Sequence, residues 1–103
     1  MTPVSYIYAI GSEDFNPIKI GYSSCPKGRL WALQNATPYK LGLLGVWGPW
    51  KRNEIRFVES VVHNLFKDKR IRGEWFDVSI DAIKKSLYGY EEYADQWFTQ
   101  YER

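Results

Sequence analysis

One cysteine, Cys25, stands in a chain of 103 residues. A lone cysteine cannot close an internal disulfide, and it excludes both a Cys-based zinc cage and a Cys-X-X-Cys redox pair. No apolar run approaches the length that a membrane-spanning helix needs. The opening residues, MTPVSYIYAIG, carry no basic stretch ahead of their apolar ones, so a secretory leader is not expected. Internal repeats and low-complexity segments are missing too. Together these absences favour a reducing, intracellular (cytoplasmic) compartment and no membrane partner. Hydrophobic residues are 45% and charged residues 25% of the chain, which excludes a disordered tail, a collagen-like repeat and a coiled coil. The length fits one domain over residues 1–103.

Two features are present in excess. Aromatic residues reach 17%, with five Trp and eight Tyr, and most of them should build the core. The net charge is only +2, but it is unevenly divided. Residues 1–73 carry +6 and residues 74–103 carry −4. A basic body with an acidic tail suits an anionic partner, or simply an unevenly charged solvated surface.

The pattern of residues predicts an α+β fold: a small three-stranded antiparallel sheet flanked by helices. Val4–Ile10 is β-branched and aromatic and reads as a strand. The polar stretch Gly11–Pro17 is a turn, and Ile18–Tyr22 is a second strand paired with the first. Ser23 and Ser24 are N-cap candidates, and Pro26 suits the first turn of a helix running to about Ala36. Leu30, Leu33 and Ala36 would be its buried stripe, and Thr37-Pro38 its stop. Lys40–Trp47 is a third strand, ended by Gly48-Pro49. A long helix follows over about Arg52–Lys67, with Ile55, Val58, Val62, Leu65 and Phe66 on one face. The basic stretch Lys67–Gly73 leaves it, and Glu74–Val78 reads as extended. Ser79 caps a C-terminal helical extension over about 79–103. Its stripe is Ile83, Leu87, Tyr90, Ala94, Trp97 and Tyr101, with a break at Gly89.

Four positions draw chemical interest, although each has an ordinary reading. Tyr8 is one tyrosine among eight and would normally pack. Arg29 flanks an apolar stripe and would normally be solvated. Glu59 borders the buried face of the long helix, where a partly desolvated carboxylate wants a cation. His63 lies one turn further along, so the pair could share a metal, or His63 could simply be hydrogen-bonded.

Their ordered spacing changes that reading. Tyr6-Ile7-Tyr8 on the first strand, Lys19-Ile20-Gly21 on the second, Arg29 eight residues after Gly21, and Glu59 on the later helix resemble the signature of the GIY-YIG nuclease superfamily. The likeness is to the branch frequent in phage and bacterial proteins, whose KIG and GEWF motifs recur here. Arg29-Leu30, Leu33-Gln34, Pro38, Leu41, Glu59, His63, Phe66 and Arg72-Gly73-Glu74-Trp75-Phe76 all fall in that pattern, which covers roughly residues 5–78. The motif-bearing core is thus about 4–78. Two positions depart from the superfamily: Tyr6 replaces the first glycine and Lys19 replaces a tyrosine.

The resemblance implies metal-dependent endonuclease action on nucleic acid, with DNA ahead of RNA. It implies that Glu59 holds a divalent cation, Mg²⁺ or Mn²⁺, and that Arg29 stabilises charge on the phosphate. Tyr8 would orient or deprotonate the attacking water, helped by the ammonium of Lys19, with Tyr22 in reserve. His63 would be a metal ligand, a proton relay or a support for one. Glu74 would pair with a site residue. Trp75 and Phe76 would pack under the sheet rather than stack on bases, and Cys25 would be a bystander. Lys67, Lys69, Arg70 and Arg72 would track a phosphate backbone. Specificity would come from a homodimer or a protein partner, or the protein would cut with little sequence preference. The competing reading on the same fold is a catalytically weak nucleic-acid-binding or protein-interaction module, which would use the acidic tail and exposed aromatics.

Overall fold

The computed structural model describes residues 3–12 and 16–90. The element order is β1 (Val4–Ser12), β2 (Ile18–Ser23), α1 (Pro26–Gln34), β3 (Leu41–Lys51), α2 (Ile55–Leu65), β4 (Arg70–Arg72), β5 (Trp75–Phe76) and α3 (Ile80–Ser86). The fold is α+β. Its sheet has five strands in the order β3-β1-β2-β5-β4, with every pairing antiparallel. No helix among the described residues is long and apolar enough to cross a membrane.

The expected three strands form its centre, with β1 in the middle. Alternation along β1 sends successive side chains to opposite faces. Ile7 and Ala9 join Ile18, Ile20, Trp47 and Phe76 in one core layer, closed by Ile55 and Val62 of α2 and by Ile83 and Leu87 near α3. Tyr8 and Ile10 join Leu41, Leu43 and Val46 in the other layer, closed by Leu30 of α1. The two long helices therefore lie on opposite faces of the sheet.

Several boundaries differ from the sequence expectation. The sheet has two extra strands, β4 and β5, built from the basic stretch and the aromatic pair. They form a hairpin around Gly73, whose φ of +56° suits glycine, and Arg70 Nε donates to Gly73 O at 2.7 Å. β3 continues past Gly48-Pro49 to Lys51, because it is an edge strand. There, a proline's missing N–H costs no pairing, and the register with β1 shifts at that point. Helix α1 ends at Gln34 rather than Ala36. The Gln34 amide leaves the helix to donate to Tyr39 O at 2.8 Å and to accept from Leu41 N at 2.7 Å, so it splices α1 to β3. Ala36 is exposed as a result. The N-cap of α1 is Cys25, not a serine; Ser23 Oγ accepts from Cys25 N instead. Pro26 does open the helix.

Helix α2 begins at Ile55, because residues 51–54 form a turn. Leu65 is exposed rather than buried, about a quarter-turn off the Ile55–Val62 line by the 100° rule. The helix after Ser79 forms as expected, with Ser79 Oγ accepting from Ala82 N. It ends at Ser86, three residues before Gly89, whose φ is +98°. Ala94, Trp97 and Tyr101 lie outside the described residues.

Candidate metal and phosphate site

β5 is only two residues long, and this decides where the site forms. It pairs with β2 at Ile18 and Lys19, and Ile20 N donates to Glu74 O at 2.9 Å. Beyond that bond the β2 edge has no neighbouring strand among the described residues. The Ile20 carbonyl points the same way as its N–H, and it accepts from His63 Nε2 at 2.8 Å. A carbonyl only accepts, so Nε2 carries the proton and a neutral ring keeps its lone pair on Nδ1. The imidazole also lies against Phe76, with centroids 4.9 Å apart.

This bond draws α2 to the open end of the sheet. Glu59 sits one turn before His63 on the same helix flank. Glu74 arrives from the β4–β5 hairpin. Glu59, His63 and Glu74 each offer one ligand atom within 4.8 Å of the others, and all three are half-buried. Oε2 of Glu59 is buried and, with both carboxylates ionised, has no hydrogen-bond partner among the described residues. Burial and the neighbouring charge of Glu74 raise the Glu59 carboxyl to about 7. Burial also pushes Glu74 up, but the hydrogen bond and charge of Lys19 outweigh it and hold Glu74 below the ordinary carboxylate value. Below about pH 7 the Glu59 carboxyl therefore tends to hold a proton, which it can donate to the neighbouring Glu74 carboxylate.

On the other face, Tyr8 is buried in the sheet, with 1% of its surface exposed. Arg29, on the first turns of α1, donates from Nε to the Tyr8 hydroxyl at 3.3 Å. Burial raises the Tyr8 phenol above its ordinary value; the Arg29 hydrogen bond opposes this, and the charges of Glu74 and Glu59 add to it. The Tyr8–Arg29 pair and the carboxylate cluster approach each other at the end of the sheet, although α1 and α2 lie on opposite faces. The link runs over Gly21. It pairs with Tyr8 across the strands. A Cβ built there would lie 2.6 Å from the Tyr8 ring carbon Cζ and 3.0 Å from Glu74 Oε1. Both side chains occupy space that only glycine leaves open.

Lys19 does not act on Tyr8 as the sequence suggested. Its ammonium donates to Glu74 Oε1 at 2.7 Å instead. Tyr22 pairs with Ile7, so it leaves the sheet on the α2 side, opposite Tyr8, and is exposed. Lys67, Lys69, Arg70 and Arg72 are exposed on or beside the β4 edge. Phe76 is buried as expected, whereas Trp75 is half-buried on the Tyr8 face. Glu74 makes the expected ion pair with a site residue, Lys19, and also stands among the three ligand candidates, a role sequence reasoning did not give it. Its signal was a carboxylate directly before an aromatic pair on a short strand.

The chain matches the T5orf172 domain over residues 5–91. It belongs to that family. T5orf172 domains are associated with nuclease-related phage proteins. No curated protein and no solved structure matches the chain. The match extends past α3 and includes every residue of the site just described.

Proposed function

We propose that this T5orf172 protein hydrolyses phosphodiester bonds in nucleic acid, using a divalent cation held by Glu59, Glu74 and His63. The observation that carries this reading is the buried, unpartnered Oε2 of Glu59 inside a three-residue ligand cluster. Two carboxylates and one imidazole at this spacing suit a hard or borderline divalent ion such as Mg²⁺ or Mn²⁺. The cluster fits such an ion on its own chemistry: two partly buried carboxylates repel each other until a proton or a cation lies between them. When bound, the cation supplies Lewis-acid stabilisation of the phosphate and leaving oxygens.

The chain's own residues do the rest. Arg29 presents its guanidinium beside Tyr8 and would donate to non-bridging phosphate oxygens as their charge grows. The Tyr8 hydroxyl, held protonated by burial and the nearby carboxylates, would orient the attacking water. Lys19 fixes the Glu74 carboxylate. The Ile20 carbonyl fixes the His63 ring and its tautomer, as supports of metal ligands commonly do. The ordered triplets and Arg29 support counting the protein among the GIY-YIG nucleases; on this reading DNA is the favoured substrate, and a second copy or a partner would supply any specificity. The test is incubation with plasmid, single-stranded DNA and RNA in Mg²⁺, Mn²⁺ or EDTA. Cleavage that requires the metal supports the reading. Binding without cleavage of any of the three overturns it in favour of a binding module.

A further inference from the structure

A groove of about 380 Å³ opens on the Tyr8 side of the sheet, beyond Lys19. Leu33 and Ala36 wall it from the end of α1, Leu41 from the start of β3, and Ile71, Arg72 and Trp75 from the β4–β5 hairpin. Among the described residues, Arg72 is the one charged member of an otherwise mostly apolar lining. The catalytic reading above uses none of these side chains, yet the groove adjoins the site on two sides. Trp75 follows Glu74 in the chain and pairs with Lys19 across the strands. Leu33 is one helical turn past Arg29, about 6 Å along the axis.

We propose that this groove receives an unpaired nucleobase of the strand whose phosphate lies at Arg29, so that the substrate is single-stranded or locally opened nucleic acid. The inference rests on the nucleic-acid reading and names the class of substrate. Charge favours this occupant over an apolar peptide. Arg72 stands at the groove, and Lys67 and Lys69 are exposed on the segment leading to it, which suits an apolar ring joined to a phosphate backbone. The volume lies near the small end of ligand pockets, which run from about 300 to 1,000 Å³. An indole face accepts the π-face of any base, and apolar walls cannot read hydrogen-bonding edges, so the subsite is tolerant of sequence. A base inside a duplex is stacked and cannot enter.

The test measures binding, not cleavage. Fluorescence anisotropy in EDTA would compare a short DNA strand with an abasic strand of equal length and a duplex. The unmodified protein should bind the base-bearing strand more tightly than the abasic one, by a factor of about 5 to 150 for one stacked base. Trp75→Ala should abolish that preference and leave abasic-strand affinity unchanged, while Trp75→Phe keeps most of it. Ala36→Phe removes no packing atom and fills the groove, so it should abolish the preference in a chain with an intact hairpin. Equal binding of base-bearing and abasic strands by the unmodified protein overturns the proposal. So does an unchanged preference in both Trp75→Ala and Ala36→Phe, or tighter binding of an apolar peptide than of the DNA strand. The two readings fail separately. A protein that shows the preference but never cleaves loses the nuclease assignment and keeps the groove. One that cleaves with metal but lacks the preference keeps the nuclease assignment and loses the groove.

Discussion

Tyr8 and Gly21 face each other across β1 and β2, and the phenol ring of Tyr8 fills the space that a side chain at residue 21 would need. The Tyr8 hydroxyl reaches Arg29 only because that space is open. Gly21→Ala should therefore push the ring and the Glu74 carboxylate apart. Forcing one carbon into packed surroundings costs about 1–3 kcal/mol. The loss of cleavage should be larger than stability alone explains, at least about 10²-fold, because a displacement of 1 Å suffices for that. Thermal unfolding and single-turnover cleavage, measured on the same preparation, separate the two effects. Full activity in a folded Gly21→Ala protein would show that the Tyr8 position is unimportant.

Glu59→Gln keeps the shape of the side chain and removes its charge. Cation binding, read by calorimetry, should be lost, and cleavage should fall by at least about 10³-fold, equivalent to roughly 4 kcal/mol. The same substitution should raise the melting temperature of the metal-free protein at pH 8 and change it little at pH 5. At pH 5 Glu59 already carries its proton, so glutamine replaces a neutral group. A lower melting temperature at pH 8 would show that the charge is compensated by a partner.

Metal-free stability should depend on pH in a direction set by Glu59. Its carboxyl is raised from 4.5 to about 7 by burial and by Glu74. Between those values the folded chain holds a proton that the unfolded chain has released. The stabilisation from Glu59 is thus complete below 4.5 and is lost as the pH rises to about 7. Glu74 is lowered, so its contribution runs the other way, present above its ordinary value and lost in acid. Melting curves in EDTA should show stability declining from pH 5 to 7.5. Added Mg²⁺ or Mn²⁺ should recover stability most at the upper end, because metal binding releases that proton. A cation effect that was equal at pH 5 and 7.5 would contradict the assignment.

Arg29→Ala should leave stability nearly unchanged, because the residue is exposed on α1. It removes the hydrogen bond that opposes the upward push on Tyr8, so the phenol should titrate at still higher pH. Spectrophotometric titration, with Tyr8→Phe subtracted, reads this directly. Cleavage should be lost with only a modest fall in nucleic-acid affinity, since the contact is strongest in the transition state. A loss of affinity as large as the loss of rate would assign Arg29 to binding alone.

The central hairpin, the third strand and both long helices were legible in the sequence, because hydrophobic alternation and helical spacing carry them. β4 was not, and β5 was legible only as an extended stretch. Arg70-Ile71-Arg72 is exposed throughout, so no buried face marks it as a strand, and a two-residue strand such as Trp75–Phe76 has no period at all. Tyr8, Arg29, Glu59 and His63 were found by ordered spacing. That Glu74 pairs with a site residue was expected, but not that the residue is Lys19, because Glu74 belongs to the unrecognised hairpin, 55 residues away in the chain. Tyr8 was the nearer candidate on the neighbouring strand, but Glu74 offers a full negative charge. The end of α1 was misplaced for a similar reason: the Gln34 amide makes three hydrogen bonds to residues 37–41 that no helical pattern encodes.

The brevity of β5 has a consequence for how this protein tolerates change. A sheet normally keeps chemistry on its two faces apart, as a wall separates rooms. Here the wall stops one residue past Lys19, and side chains from both helices meet around its end. Lengthening the β4–β5 hairpin by one further pair would give β2 a new neighbour, take the Ile20 carbonyl from His63 and close the doorway. Such an insertion would add backbone hydrogen bonds and so favour the fold, yet it would disconnect Arg29 from Glu59. The sheet is kept incomplete at the place where completing it would silence the site.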